Sequence, residues 1–287
     1  MNSLKFRQVI TTRRRIDLFG IVPNRVSDLS IAEILRLPIR IDQHAAVVGD
    51  GFEVIDGDRA TIAFDSDLSN CDYVGGGLES GAVLVAGSVG DFLAERMSGG
   101  VIEVGGSANR FACSGLKGGL VRVARDCGEY ASAAAPGAKR GMNGGVLVVA
   151  GNCDRWLATR MRRGTVIVHG SVAAGCASRM IAGTLALCGP VEFPLAADMV
   201  RGTILLLGHQ VVGTSPAGFT APEHTELSYL QILMNDINPH LPSQIRNEPI
   251  SPVVFRSLGD RVNRGLGEII WLSTHSKHAG QQLVNET

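Results

Sequence analysis

A segment of ten residues recurs seven times between residues 78 and 208, and it constrains the fold more than any other feature. Each copy begins with Met or Leu, has glycine at its fourth position and carries Val, Ile or Leu at its sixth and eighth positions. The copies begin 19 residues apart, except for one interval of 26 that indicates a seven-residue insertion near Ala133–Gly141. Their first residues are Leu78, Met97, Leu116, Met142, Met161, Met180 and Met199. Such a fixed period is the signature of a repeat architecture, in which each unit buries its apolar face against its neighbours.

Each copy predicts one short strand that follows a tight bend. The alternation of Val83 and Val85 with outward positions is typical of a strand with one buried face. A period of 19 is too short for a strand–helix–strand unit of about 30 residues, but it suffices for one coil of a solenoid. The sequence therefore predicts an all-β fold, a right-handed parallel β-helix of about seven coils. The bend glycines are Gly81, Gly100, Gly119, Gly145, Gly164, Gly183 and Gly202.

Stacked coils require that residues at equal offsets form ladders. Fourteen residues beyond the first four anchors lies an aromatic ladder, which consists of Phe92, Phe111, Tyr130 and Trp156. Eleven residues beyond the anchors lie small apolar side chains, including Cys127 and Cys153. Neighbouring coils bring these two thiols within disulfide reach, but a stack of core thiols in a reducing compartment is the favoured interpretation.

The flanks do not follow the repeat, so the sequence divides into an N-terminal cap (1–60), a parallel β-helix (61–215) and a C-terminal helix and arm (216–287). In the first flank, Ser30–Glu33 forms a capping box that opens a short helix, and Val47–Phe52 predicts a strand that turns into another strand. The mixed N-terminal cap would cover the open end of the solenoid.

The C-terminal flank predicts a helix at Thr225–Ile237 from its leucine and isoleucine spacing. The prolines that follow, from Pro239 to Pro252, predict an extended arm, and Val253–Arg256 with Glu268–Leu272 predict a final strand pair. This flank could serve as a second cap or as an arm that clasps another subunit.

Composition excludes several classes of function. With 27 basic and 27 acidic residues the chain has no net charge, which gives no argument for nucleic acid or a membrane surface. No apolar run approaches the length of a membrane span, the first residues lack a signal-peptide pattern, and six scattered cysteines include no Cys-x-x-Cys pair. We therefore expect a cytoplasmic protein with reduced thiols and no metal site.

The residues that could carry chemistry are few. His169 and His209 lie at strand ends but lack metal-ligand spacing, so they are interpreted as turn or interface histidines. No nucleophile or phosphate-loop motif is present, and no catalytic residues are expected. Arginines at related offsets could form a stripe that binds an acidic partner or an anionic cofactor tail, or they could pair with carboxylates where subunits meet. They are Arg155, Arg160, Arg162, Arg163 and Arg179, with Arg96 and Arg201 at matching offsets.

The repeated units resemble the C-terminal β-helix of the glutamate synthase large subunit and, more specifically, the C subunit of formylmethanofuran dehydrogenase. The second resemblance extends to Ala32–Ile39, Val48–Gly57 and Ser257–Leu272, and Arg125 departs from it where other repeats have glycine. The family includes the equivalent subunit of the formyltransferase/hydrolase complexes of methylotrophic bacteria.

The resemblance implies a non-catalytic structural subunit without its own cofactor in a hetero-oligomeric complex of one-carbon metabolism. Partner subunits would transfer a formyl group between tetrahydromethanopterin and a methanofuran-type cofactor such as methylofuran, and would release formate. The alternatives are a glutamate-synthase-type β-helix scaffold or interaction protein outside formyl metabolism, and a solenoid enzyme such as a polysaccharide lyase or an acyltransferase.

Overall fold

The computed structural model describes residues 3–10, 13–208, 215–246 and 251–272. The strands are β1 (Ser3–Gln8), β2 (Ile16–Asp17), β3 (Pro38–Ile41), β4 (His44–Val47), β5 (Phe52–Ile55), β6 (Asp58–Phe64), β7 (Cys71–Asp72), β8 (Ala82–Val85), β9 (Val101–Val104), β10 (Leu120–Val123), β11 (Asn143–Val149), β12 (Arg163–Val168), β13 (Thr184–Leu187), β14 (Arg201–Leu206), β15 (Glu223–Glu226), β16 (Val253–Gly259) and β17 (Leu266–Trp271). The helices are α1 (Pro23–Val26), α2 (Ile31–Leu35), α3 (Val48–Gly51), α4 (Leu230–Ile237) and α5 (Ser243–Arg246), with 3-10 turns at Asn238–His240 and Arg261–Asn263.

The strands form one large sheet and one small one, which confirms the expected all-β class. The large sheet has thirteen strands in the order β15-β16-β17-β14-β13-β12-β11-β10-β9-β8-β6-β1-β5. From β1 to β17 its neighbours are parallel, and antiparallel pairs occur only toward its two ends among the described residues. The small sheet has the order β4-β3-β2-β7.

The seven repeats pair with one another in a constant register. Val83 lies opposite Ile102, which lies opposite Val121, and the same offset continues through β14. A second line of parallel bridges joins the small apolar positions, from Leu68 and Val89 to Val172 and Val191. Successive repeats therefore touch at two places per repeat, and their inward side chains form one continuous core.

The bend glycine at the fourth position of each repeat has a positive φ, between 76° and 121°. At Gly100 two features require glycine. The φ angle is +80°, and an added Cβ would lie 2.6 Å from the carbonyl oxygen of Gly81. A side chain there would have both a strained backbone and a clash with the neighbouring repeat.

The four predicted aromatic residues stack as nearly parallel rings. Centroid distances are 5.1 Å from Phe92 to Phe111, 5.0 Å from Phe111 to Tyr130 and 6.5 Å from Tyr130 to Trp156. Tyr73 extends the column by stacking on Phe92 at 4.9 Å. Sequence reasoning missed Tyr73, although it lies one more 19-residue step before Phe92.

The N-terminal flank contains the predicted capping box. The Ser30 hydroxyl accepts the Glu33 backbone N–H at 3.3 Å, and the Glu33 carboxylate accepts the Ser30 N–H at 2.8 Å. The expected strand–turn–strand at Val47–Phe52 has a helical turn, α3, between its two strands. Strand β6 begins inside the segment assigned to the cap and already pairs with β8 in parallel. It lacks the repeat's glycine pattern, so the repeat did not reveal it.

The C-terminal flank differs more from its prediction. The strand pair is confirmed, since β16 and β17 are antiparallel, and β17 continues the parallel ladder beside β14. The helix begins at Leu230, because Glu223–Glu226 pairs with β16 instead. The prediction of an extended arm was wrong within the described residues. Pro239 lies in the first turn of a 3-10 helix and Pro242 precedes α5, positions where a missing N–H costs nothing.

Candidate functional site

Four arginines come together on one side of the repeats. Arg162 and Arg163 follow the anchor Met161, and Arg201 occupies the matching offset two repeats later. Arg140, in the seven-residue insertion, lowers the pKa of Arg162 most, followed by burial and then by the charges of Arg163 and Arg201. We call Arg140, Arg162, Arg163 and Arg201 the arginine cluster.

The arginine cluster is not neutralised within the described part of the chain. None of its four guanidinium groups has a carboxylate oxygen within 4.0 Å there. Like charges held together without counter-charges favour the binding of an anion, because guanidinium groups match carboxylate and phosphate oxygens in bidentate geometry.

The other predicted arginines have different contacts, although the backbone oxygen of Arg160 accepts the N–H of Gly141, next to Arg140, at 2.9 Å. Arg179 forms an ion pair with Asp198 at 3.5 Å, and Arg96 forms one with Glu95 at 3.8 Å. Arg160 shares the left-handed backbone of Arg96 and Arg179, and the backbone N–H of Arg155 bonds the carboxylate of its neighbour Asp154. None of Arg155, Arg160 and Arg179 is among the groups that shift the pKa of Arg162.

Arg140 was missed because the insertion interrupts the offset arithmetic that located the other arginines. The one sequence signal was the adjacent pair Lys139-Arg140 in a loop beside a repeat that already carried candidate arginines.

Five of the six cysteines are buried thiols, and Cys188 is partly buried. Cys127 and Cys153 are bridge partners in neighbouring repeats and are both free, with about 2% of each residue exposed. A hydrogen bond with Cys127, followed by burial, raises the pKa of Cys153, and burial raises the pKa of Cys113. Thiols with raised pKa values are poor nucleophiles, so Cys113 and Cys153 serve packing.

The histidines form no metal site within the described ranges. His169 Nε2 lies 2.8 Å from the backbone oxygen of His240, which makes it a contact between the repeats and the C-terminal flank. No cluster of three metal-ligating side chains occurs among residues the structure describes, and His209 lies outside them.

A polar ladder runs along another side of the repeats and lines a groove of about 610 Å³. The side chain of Asp67 accepts the N–H of Ser88, and each following member accepts the N–H of the equivalent residue one repeat on. The ladder continues through Ser107, Asp126, Asn152 and Ser171. Every member before Ser171 thus accepts a backbone N–H from the next repeat, so the ladder holds adjacent bends together.

No helix within the described residues is long and apolar enough to cross a membrane. No protein-family model matches the sequence.

The chain is similar to known proteins both in sequence and in structure. It is 33% identical over 93 residues to the C subunit of the formyltransferase/hydrolase complex Fhc of Methylorubrum extorquens. That alignment covers 32% of this chain and 34% of the relative, so it spans about a third of the relative's length.

The structural similarity extends much further along the chain. It is to one chain in the X-ray crystal structure of the formyltransferase/hydrolase complex (FhcABCD) from Methylorubrum extorquens in complex with methylofuran. The TM-score is 0.84 at 31% identity, and the match covers 94% of this chain and 99% of the other.

Proposed function

Because the chain belongs to the family of the C subunits of formyltransferase/hydrolase complexes, we propose that it is a non-catalytic structural subunit of such a complex in the cytoplasm. Partner subunits would transfer the formyl group between tetrahydromethanopterin and a methanofuran-type cofactor and release formate. The observation that carries this proposal is the 31% identity with a chain of that complex over nearly the full length of both chains.

The proposed fold is a right-handed parallel β-helix of about seven repeat coils. Its support is the constant parallel register of the repeats and their second line of bridges. A coil stack of this kind presents long, regular sides, which suits a scaffold that positions other subunits.

The structural role is supported by the chemistry of the repeat residues. The pKa values of the Cys113 and Cys153 thiols are raised, and the aligned polar side chains Ser88 and Asp126 accept backbone N–H groups. Neither set is poised for proton transfer or nucleophilic attack.

Co-purification tests the proposal. A tagged full-length chain, expressed with the other subunits of the same organism's complex, should purify with them in a fixed stoichiometry. The complex should retain its formyl-transferring activity. Recovery of the chain alone, or formyl turnover by the isolated chain, would contradict the proposal.

The arginine cluster contacts an anionic group, either an acidic surface of a partner subunit or an anionic tail of the methanofuran-type cofactor. The double variant Arg163→Glu/Arg201→Glu distinguishes the partner surface from the cofactor tail. Loss of assembly with normal cofactor affinity identifies the partner surface, whereas normal assembly with weakened cofactor binding identifies the tail. Unchanged values for both would refute an anion-binding role.

A further inference from the structure

Within the residues that the structure describes, the chain itself covers the outer face of the large sheet over only part of its width. Helix α4 packs its buried side chains Leu230, Met234 and Ile237 against outward residues of the later repeats. Those outward residues are Val148, Ile167, Ala186 and Leu205, together with Ile270 of β17.

Beside this covered part lies a groove of about 690 Å³ on the same face. It runs across β6, β8, β9, β10 and β11, and its end wall is formed by Pro239, His240, Leu241 and Arg246. Leu84 and a row of small residues at the strand ends, Ala86, Ala124 and Ala150, lie on its floor. The three alanines are exposed.

Several polar groups line the groove without filling it. Arg122 and Glu103 form an exposed ion pair at 3.1 Å. His240 Nδ1 is buried and has no hydrogen-bond partner among the described residues. Burial first, then the charges of Arg122 and Arg246, lower the pKa of His240, which indicates a positive potential at this end.

We propose that this groove binds an amphipathic helix of a partner subunit, which lies beside α4 on the same sheet face. This inference rests on the proposed function and names one surface through which the chain would join its complex. The helix would place an apolar stripe on the alanine row and a carboxylate near His240 and Arg246.

Three features of the groove specify this occupant. The covered part of the face already accepts a helix, so an adjacent helix continues an existing layer. The alanine floor permits close approach of a backbone, as small residues do at packed helix surfaces. The floor spans four strand spacings, about 19 Å, which is the length of a helix of about 13 residues.

A second copy of this chain fits the groove less well. The outward face of α4 offers one large apolar side chain, Ile232, which is 69% exposed. Its exposed neighbours Gln231, Asn235 and Asp236 are polar and would lose hydration in an apolar groove.

The variants Ala86→Glu and Ala124→Glu test this inference, with Ala45→Glu as the control. All three alanines are exposed, but Ala45 lies in β4 of the small sheet. Each full-length variant is mixed with the other subunits of the same organism's complex, and the dissociation constant is measured. We expect both groove variants to weaken assembly about tenfold or more, because each buries an unpaired charge at an interface, with little change for the control.

The outcomes separate this inference from the proposed function. If the wild-type chain does not assemble with those subunits, the proposed function fails and this inference fails with it. If the wild-type chain assembles and the groove variants assemble like Ala45→Glu, only the groove is refuted. If the groove variants abolish self-association of the isolated chain but leave assembly intact, the groove binds a second copy and the inference is overturned.

A second measurement tests the inference if the glutamate variants fold poorly, as judged by circular dichroism and thermal melting. A benzophenone photocrosslinker at position 124 of the otherwise wild-type chain should form a crosslink to a helical, apolar peptide of a partner subunit. Crosslinks to this chain alone, or no crosslink in the assembled complex, would refute the inference.

Discussion

The inner and outer faces of the repeat strands differ in how the chemical character of their side chains varies along the stack. Inward residues such as Val83, Ile102 and Val121 are aliphatic in every repeat and fully buried. Outward residues change along the stack, from Leu84, Glu103 and Arg122 to a run of apolar side chains. That run is Val148, Ile167, Ala186 and Leu205.

The change on the outer face coincides with the position of α4, which covers the apolar run. The inner face is therefore dictated by neighbouring repeats, and the outer face by whatever segment lies on it. Leu84 departs from this rule, because it is an outward apolar side chain outside the part covered by α4, on the floor of the groove proposed as a docking site.

The largest effect is expected where the inner face depends on a backbone bend. Gly100→Val would force a β-branched residue to φ +80° and bring its Cβ against the Gly81 carbonyl oxygen. We expect a loss of about 5 kcal/mol in the free energy of unfolding, measured by urea denaturation. Gly137→Val is the control, because Gly137 has the same φ of +80° but nothing within 4 Å of its Cβ position. Equal losses would mean that backbone strain, and not stacking, accounts for the effect.

A matched pair of leucines compares the two faces directly. Leu147 faces inward and Leu205 faces outward under α4, and both are fully buried. We expect Leu147→Ala to cost about 4 kcal/mol and Leu205→Ala about 2.5 kcal/mol. The helix can shift toward the cavity at Leu205, whereas the hydrogen-bonded repeats around Leu147 cannot. Equal losses of unfolding free energy in chemical denaturation would contradict the proposed difference between the faces.

The same difference explains how far the sequence could predict the structure. The repeat register, the bend glycines and the aromatic column follow from a local period, since each repeat has the same neighbours. The pairing of β14 with β17 could not be predicted this way. Arg201 lies opposite Leu266, which belongs to a segment outside the repeats. Arg140 joins the arginine cluster only because the insertion folds back beside Arg162, and no period determines that placement.

A smaller effect is expected at the hydrogen bonds that fix α4 to the sheet. Glu268 of β17 accepts hydrogen bonds from Tyr229 at 2.8 Å, from Thr203 at 2.6 Å and from Arg256 at 2.8 Å. Tyr229→Phe should cost about 1 kcal/mol of unfolding free energy at pH 7, because Glu268 keeps its other donors. Tyr130→Phe is the control, since it retains the stacked ring and removes only a hydroxyl.

The pH dependence sharpens this prediction. Burial first, and then the hydrogen bond to Glu268, raise the pKa of Tyr229 to about 12 from its ordinary value of 10. The folded state therefore favours the neutral phenol, and this contribution is complete below pH 10 and lost as the pH rises toward 12. Urea denaturation from about pH 9 to about pH 11 should show a smaller decline in stability for Tyr229→Phe than for the wild-type chain. Parallel declines would show that Tyr229 titrates as in the unfolded chain.

The smallest effect is expected at the arginine cluster. Its charges repel one another within the isolated chain, so Arg140→Gln should raise Tm by about 1 °C or less at low salt. The increase should disappear near 1 M salt, where the screening length is about 3 Å. Arg110→Gln is the matched control, because Arg110 has Glu129 at 3.6 Å and its removal should not raise Tm. An Arg140→Gln variant that is less stable than the wild-type chain at low salt would mean that the cluster is neutralised in solution. That result would contradict the view that the four arginines repel one another because no anionic partner is bound.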